Sequence, residues 1–365
     1  MEIETLLIHS GAENPLGAVG TPIFATSTFA DAALHGYSYT RTSNPTRAAL
    51  EKTLAAAEGG RYGFAFASGL AAEDALFACF DKIICAKDTY GGTKRLLRTC
   101  YSAVFTDVSD ENALSSALRG TYGALVFAET PANPLMRVTD IRKTAEVAHA
   151  HNAYLAIDNT FLSPALQKPL ALGADATVHS ATKYLGGHHD SVAGCLATSG
   201  EELAKKLKNL MNTKGNGLSP FESFLIKRGM ETLALRMKKH CENAGEVFKY
   251  LKTRSDIKRI YYAGDPENEG YAVNSSQSSG AGGVISFEID EEKVPEFIKS
   301  LKLIRFAESL GGNASLITHP YTQTHASLDE GEKAACGITK GLLRLSCGTE
   351  SAVDIITDLE RAAVN

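Results

Sequence analysis

The sequence predicts an α/β protein with a mostly parallel central sheet and a smaller C-terminal α/β domain. Two observations carry this expectation. From about residue 48 to 200, short apolar runs alternate with segments of helical periodicity, the pattern of stacked βα units. Beyond them, "GGVISFEI" (282–289) and "LLRLSC" (342–347) begin a second strand-bearing region, with helices expected at 293–301 and 351–363.

Taken in order, residues 1–47 are dense in Gly, Pro, Ser and Thr and show little periodicity, so they read as an extended arm of the kind that reaches a neighbouring subunit. Residues 48–225 form the larger domain. Its strands are expected at "FAFA" (64–67), "KIICA" (82–86), "ALVFAE" (124–129), "AYLAID" (153–158), "ATVHS" (176–180) and "AGCLAT" (193–198). "LAAEDALFACF" and "DIRKTAEVAHAHN" are helices between them. A long helical pattern over 220–253 leads into the C-terminal domain, residues 226–365, in which the polar "DPENEGYAVNSSQSSGAGG" reads as an exposed loop.

Composition narrows the function. The chain has 365 residues, 37 basic and 42 acidic, for a formal charge of −5. That balance lacks the single-sign excess that nucleic acid or an anionic membrane favours, so small-molecule partners are expected. The start "MEIETLLIHSG" is acidic where a secretory leader is basic, and no run of about 18 apolar residues occurs, which predicts a cytoplasmic protein without a membrane span. Seven cysteines at irregular spacing form no CxxC pair and read as reduced, small hydrophobes. His179, His188 and His189 have no cysteine or carboxylate at finger or HExxH spacing, so no metal is expected.

Ligands of an open parallel sheet collect beyond the carboxyl ends of its strands, and the polar residues there form a set. "FAFASGLAAEDA" passes through Ser68 and Gly69 into a helix, whose free amides suit a phosphate; an ordinary Ser-Gly turn with a helix cap is the alternative. "AYLAIDNTF" ends on Asp158, a carboxylate suited to a protonated ring nitrogen, or simply a capping aspartate. "VHSATKY" supplies the hydroxyls of Ser180 and Thr182 and then the amine of Lys183. Phosphate donors, a carboxylate and a lysine at neighbouring strand ends meet the needs of pyridoxal 5′-phosphate.

The motifs "GYSYTRTSNPTRAALEKTLAAAEGG", "SGLAA", "DTYGGTKRLL", "ETPANPLM", "IDNTF", "HSATKYLGGHHD", "LSPFESFLIKRGMETLALRM", "FAESLGG", "QTHASL" and "GLLRLS" follow one another nearly end to end. In that order they resemble the cysteine and methionine metabolism family of pyridoxal-phosphate enzymes, which includes cystathionine γ-synthase, cystathionine γ-lyase and O-acylhomoserine sulfhydrylase. The resemblance implies fold type I, aspartate aminotransferase-like, and a homo-oligomer, typically a dimer of dimers. It makes Lys183 the Schiff-base lysine and Asp158 the partner of the pyridine nitrogen. Ser68, Ser180, Thr182 and the amides of Gly69 and Leu70 become phosphate ligands. Tyr90 would stack on the ring and Asn133 would approach the ring hydroxyl, while Tyr39 and Arg41 would reach the phosphate of an adjacent subunit. Arg344 would grip the substrate α-carboxylate, and Ser309 would help place the lysine and the substrate.

Glu308 bears on the reaction. In relatives acting at the γ-carbon a glutamate commonly precedes the "SLGG" serine, whereas many β-lyases carry an apolar residue there. The resemblance therefore implies γ-replacement, cysteine plus an O-acylhomoserine giving cystathionine. The alternatives are a lyase that breaks cystathionine, a sulfhydrylase taking sulfide and, remotely, a cofactor-carrying regulatory protein without turnover. Ser38, Asn313 and Ala314 depart from the usual γ-synthase pattern, and Gly92 argues against a methionine γ-lyase, which usually has cysteine there.

Overall fold

Alternating strand and helix runs fold here into two sheets joined by a long helix. The computed structural model describes residues 1–11, 17–326 and 328–363. Residues 12–16 of the expected arm, Ser327 of "QTHASL" and the last two residues of the expected C-terminal domain lie outside the described residues.

The first sheet contains β1 (Tyr62–Phe66), β2 (Ile83–Ala86), β3 (Ala103–Thr106), β4 (Leu125–Glu129), β5 (Tyr154–Asp158), β6 (Ala176–Ser180) and β7 (Gly194–Thr198), in the order β1-β7-β6-β5-β4-β2-β3. β2, β3, β4, β5 and β6 pair in parallel, and β2, β4 and β7 are buried along their whole length, as strands covered on both faces must be. β7 runs antiparallel to both β1 and β6. Its first residue, Gly194, is therefore in register with Phe66 and with Ser180, where β1 and β6 end. That one reversed strand closes a cradle at the carboxyl edge of the sheet.

The second sheet, from β8 (Arg259–Tyr261), β9 (Val284–Glu288), β10 (Arg305–Phe306), β11 (Leu316–Thr318) and β12 (Leu342–Ser346), has the order β10-β11-β12-β9-β8. It meets the first through specific polar contacts. Ser286 donates to the Pro134 carbonyl at 2.6 Å, and the Gln277 amide both donates to the Thr139 carbonyl and accepts from the Ile141 amide.

Four local expectations change. Residues Ile3–His9 form a helix with Leu7 fully buried among Leu50 and Leu54, so the start of the expected arm is packed on the core. The polar segment 265–283 is not all loop: Tyr271–Gln277 is helical, and Asn274 and Gln277 are buried. It is held by side-chain amides bonding backbone, a kind of packing that hydropathy does not register. The 220–253 pattern is two helices, Pro220–Met230 and Leu233–Lys252. Arg236 stabilises the break by donating to the carbonyls of Tyr184 and Gly229 at 2.7 and 2.6 Å. β3, a four-residue edge strand with Val104 exposed, is the strand of this sheet not expected from the sequence.

Candidate active site

Ser68 caps the helix Gly69–Phe77, its hydroxyl accepting from the Ala71 amide at 3.0 Å. The amides of Gly69 and Leu70, first in the helix, have no intrahelical carbonyl to bond. Side chains are excluded there. A Cβ on Gly69 would sit 3.2 Å from the Ser180 Cα, and one on Gly194 would sit 2.0 Å from the Ser68 carbonyl oxygen. Ser180, Ser68 and Gly69 thus meet at one place, with Leu70 next in the helix. Thr182 is adjacent, but its hydroxyl both donates to the Ala193 carbonyl and accepts from the Ala193 amide, at 3.2 and 3.0 Å.

Next along the sheet, Asp158 ends β5 directly beside Glu129 at the end of β4. Asp158 accepts from the Thr160 amide at 2.8 Å and is almost fully buried. Glu129 is also buried, and its two oxygens accept from the backbone amides of Tyr90 and Asn133, at 2.9 and 3.1 Å. A third buried acid, Glu73, accepts from the Thr93 hydroxyl at 2.9 Å and has its other oxygen unpartnered. Burial, then the neighbouring Asp158 charge, holds Glu129 and Glu73 well above the ordinary carboxylate range. Burial also raises Asp158.

Across the cradle lie the cations. Lys183 donates to the Ser309 hydroxyl at 2.9 Å. Burial, and secondarily the Arg344 charge, lowers its pKa from 10.5 to about 8, with Glu308 acting in the opposite sense. Ser309 has φ +94°, a strained conformation for a residue with a side chain. That turn directs its hydroxyl to Lys183 and its carbonyl to the Arg344 guanidinium, 2.9 Å away. Arg344, on β12 and 2% exposed, also donates to the Asn133 side-chain oxygen at 2.8 Å and to the Thr318 hydroxyl at 3.2 Å. All three acceptors are neutral and its Nε has no partner. Burial lowers its pKa to about 10.

Tyr90 immediately precedes the helix Gly91–Cys100, half-exposed at the mouth. Gly92 makes room for its ring, since a Cβ there would lie 2.4 Å from the ring edge. Glu308 is exposed and near enough to affect Tyr90, Lys183 and Arg344 electrostatically. Tyr39 and Arg41 lie elsewhere, in a surface groove with Pro220, and Arg41 donates to the Asn212 carbonyl at 3.0 Å. The histidines have structural partners: His179 pairs with the buried Glu58 at 2.6 Å, and His188 bonds the Gly186 carbonyl. Sequence reasoning missed Glu129 and Glu73. Glu129 ends an apolar run, the same signal that singled out Asp158; Glu73 gave none beyond an acid within a helical pattern.

As a whole the cradle offers donors for an anion at one end, buried acids for a cation in the middle, and a lysine of lowered pKa beside a buried guanidinium. Those features suit a phosphorylated, ring-protonated aldehyde that carries an amino acid.

Comparison with known proteins agrees. The chain matches the family described as Cys/Met metabolism PLP-dependent enzyme over residues 4–364. It is 44% identical to a cystathionine beta-lyase of Lactococcus lactis subsp. cremoris, covering 99% of this chain and 98% of the relative. It is 42% identical to a cystathionine gamma-synthase of Haemophilus influenzae, covering 100% and 98%. The solved cystathionine gamma-lyase from Lactobacillus plantarum complexed with L-serine superposes with TM-score 0.95 at 43% identity, covering 99% of this chain and 98% of that one. The chain therefore belongs to the pyridoxal-phosphate-dependent enzymes of cysteine and methionine metabolism, which act on carbon–sulfur bonds of sulfur amino acids.

Proposed function

We propose that this enzyme catalyses γ-replacement: the sulfur of cysteine displaces the acyloxy group of an O-acylhomoserine, giving cystathionine and a free carboxylic acid. The single observation that carries this reading is the exposed Glu308 carboxylate beside Ser309, near enough for its charge to act on Lys183, Tyr90 and Arg344. A carboxylate in that position suits the ammonium group of an incoming second amino acid.

The residues fit the family's cofactor, because a Cβ-free cradle, uncompensated buried acids and an orphaned Arg344 Nε each lack what it and its substrate carry. Ser68, Gly69, Leu70 and Ser180, with Thr182 after rotation, would hold the phosphate. Asp158 would face the ring nitrogen, Tyr90 the ring, Asn133 the ring hydroxyl, and Lys183 the aldehyde carbon. When bound, pyridoxal phosphate supplies an electron sink for charge developing on the substrate's α-carbon.

Arg344 would bind the α-carboxylate through its planar fork, braced by Asn133 and the Ser309 carbonyl. The Lys183 amine, with its pKa near 8 and its direction fixed by Ser309, would take the α-proton. The same amine, once it has released the first proton, would take a second from the β-carbon before the γ-acyloxy group departs as a carboxylate and the cysteine thiolate adds. Glu129, through the amides of Tyr90 and Asn133, acts as a positioning residue.

Tyr39 and Arg41 would serve the phosphate site of a second copy, making the active site a property of at least a dimer. Mixing Arg41→Ala with Lys183→Ala subunits should then restore up to about a quarter of wild-type activity, since half of randomly mixed dimers are hybrids with one intact site. Absence of any recovery in verified hybrids would place Arg41 outside the neighbouring site.

A lyase reading is favoured by the beta-lyase and gamma-lyase names among the similar proteins. Product analysis separates the two. O-acetylhomoserine or O-succinylhomoserine with cysteine should yield cystathionine, and sulfide should be the poorer nucleophile. Cleavage of cystathionine to pyruvate or α-ketobutyrate, with no synthesis from either ester, would overturn the proposal.

A further inference from the structure

Outside the cradle, Lys94 and Cys336 form an arrangement that the reaction does not use. Lys94 lies on the helix that follows Tyr90 and is only 6% exposed. A buried ammonium ordinarily faces a carboxylate. The hydrogen-bond partner of the Lys94 Nζ among the described residues is instead the Cys336 thiol, at 3.5 Å. Of the nearby acids, Glu332 pairs with Arg98 at 2.6 Å, and Asp88, which lines the same cavity as Lys94, lies 3.9 Å from Arg137 and makes no hydrogen bond to the Lys94 ammonium among the described residues. Cys336 caps the helix Glu330–Ala335 and is partly open to solvent. The pair shares a narrow cavity with Asn133, Leu135, His325 and Ile338.

We propose that Lys94 and Cys336 form a reversible covalent cross-link when the protein meets a peroxide. The sulfur of Cys336 first attacks the peroxide: an S–O bond forms, the O–O bond breaks, and one water leaves. Sulfur is oxidised by two electrons to the sulfenic acid and peroxide is reduced. The Lys94 amine, having given its extra proton to solvent, then attacks that sulfur. An N–S bond forms, the S–O bond breaks, and hydroxide departs with the second amine proton as water. The sum is one amine, one thiol and one hydrogen peroxide giving one sulfenamide and two waters. Two equivalents of an external thiol return the lysine and the cysteine and become a disulfide.

The geometry gives the bond a consequence. It would fasten the helix that starts behind Tyr90 to the segment that carries His325 and encloses Asn133, the side chain that braces Arg344. Arg98 and Glu332 already bridge the same two helices without a covalent bond. Joining them rigidly would fix the mouth of the cradle, so turnover should fall on oxidation and return on reduction.

The test is peptide mapping of the holoenzyme after hydrogen peroxide treatment, thiol alkylation and trypsin digestion. The expected product joins residues 88–95, uncut after Lys94 because the amine is consumed, to residues 334–340. Its mass is about 2 Da below the sum of the two peptides, and it disappears after dithiothreitol. Activity should fall as the linked peptide accumulates and recover with its loss. Neither should occur in Lys94→Arg or Cys336→Ser, both of which keep turnover before peroxide. Recovery of Cys336 as sulfinic acid, or in a disulfide with another cysteine, while trypsin cuts normally after Lys94, would overturn the proposal. The wild-type map decides the question even if a variant fails to fold.

Discussion

Two regions of the cradle face each other, one lined by acids and one by bases, and neither holds an ion pair among the described residues. On one side Glu73, Glu129 and Asp158 are buried side by side, bonded only to hydroxyls and amides. On the other, Lys183 and Arg344 are bonded only to neutral oxygens. The chain could have paired these groups with each other and did not. Burial disfavours the charged forms of the acids and of the cations alike, so each side has unmet capacity for a group of the other sign. On the proposed reading, the acid side would meet a cationic ring and the basic side carboxylates.

The strongest way to break this comparison is to remove the amine. On the proposed assignment, in which one residue is both attachment point and base, Lys183→Ala should lose turnover by about 10⁴-fold or more. It should also retain no cofactor fixed by borohydride. A variant that still carried a borohydride-stable adduct would put the covalent site elsewhere. Arg344→Lys tests the other cation. A lysine keeps charge but not the fork, so about 1.5–3 kcal/mol of charge-assisted hydrogen bonding is lost. The loss should appear mainly as a raised KM for the amino acid. A KM close to wild type would mean that Arg344 is structural.

That last outcome is not idle, because Arg236 is also a buried arginine. It donates to the carbonyls of Tyr184, Leu185 and Gly229 and to the Thr232 hydroxyl, and burial lowers its pKa to about 10, as for Arg344. The difference lies in Nε, bonded in Arg236 and orphaned in Arg344. The apolar strand pattern around Arg344 called for a buried anion and the "GLLRLS" resemblance gave it a role, whereas Arg236, in a helical pattern, carried no such mark. The strands that end at the cradle were legible because each is an apolar run stopped by a polar residue. Lys183, Asp158, Ser180 and Ser68 could be read from those stops. Ser309 was legible only by resemblance, since its role depends on a backbone angle. β7's direction was illegible, because strand sequences carry no sign of parallel or antiparallel pairing. Yet that reversal brings Gly194 against Ser68 and closes the cradle.

The acid side is sharpened by Glu129→Ala. Tyr90 and Asn133 would lose the acceptor for their amides. Two hydrogen bonds to a carboxyl at about 1 kcal/mol each, partly replaced by water, predict a loss of roughly 10-fold in kcat/KM. If Glu129 also acts electrically on its neighbour Asp158, and not only through the two amides, the pKa of any ring-linked absorbance band should move. A fall in activity with no spectral shift would reduce Glu129 to a purely mechanical support.

The smallest effect concerns pH and the lysine side. Burial and Arg344 place the Lys183 pKa near 8 instead of 10.5. Between those values the folded amine is neutral while an exposed lysine would still be protonated, so the unfolded chain binds the extra proton and this group's contribution to stability rises with pH. Only the neutral amine attacks an aldehyde. The rate at which cofactor-free protein captures pyridoxal phosphate should therefore climb through about pH 8 and level off above it. In Arg344→Ala the midpoint should shift upward, because a cation that disfavoured protonation is gone. A climb that continued to pH 10 in the wild-type protein would mean that the acids opposite, and not Arg344, set the charge on Lys183.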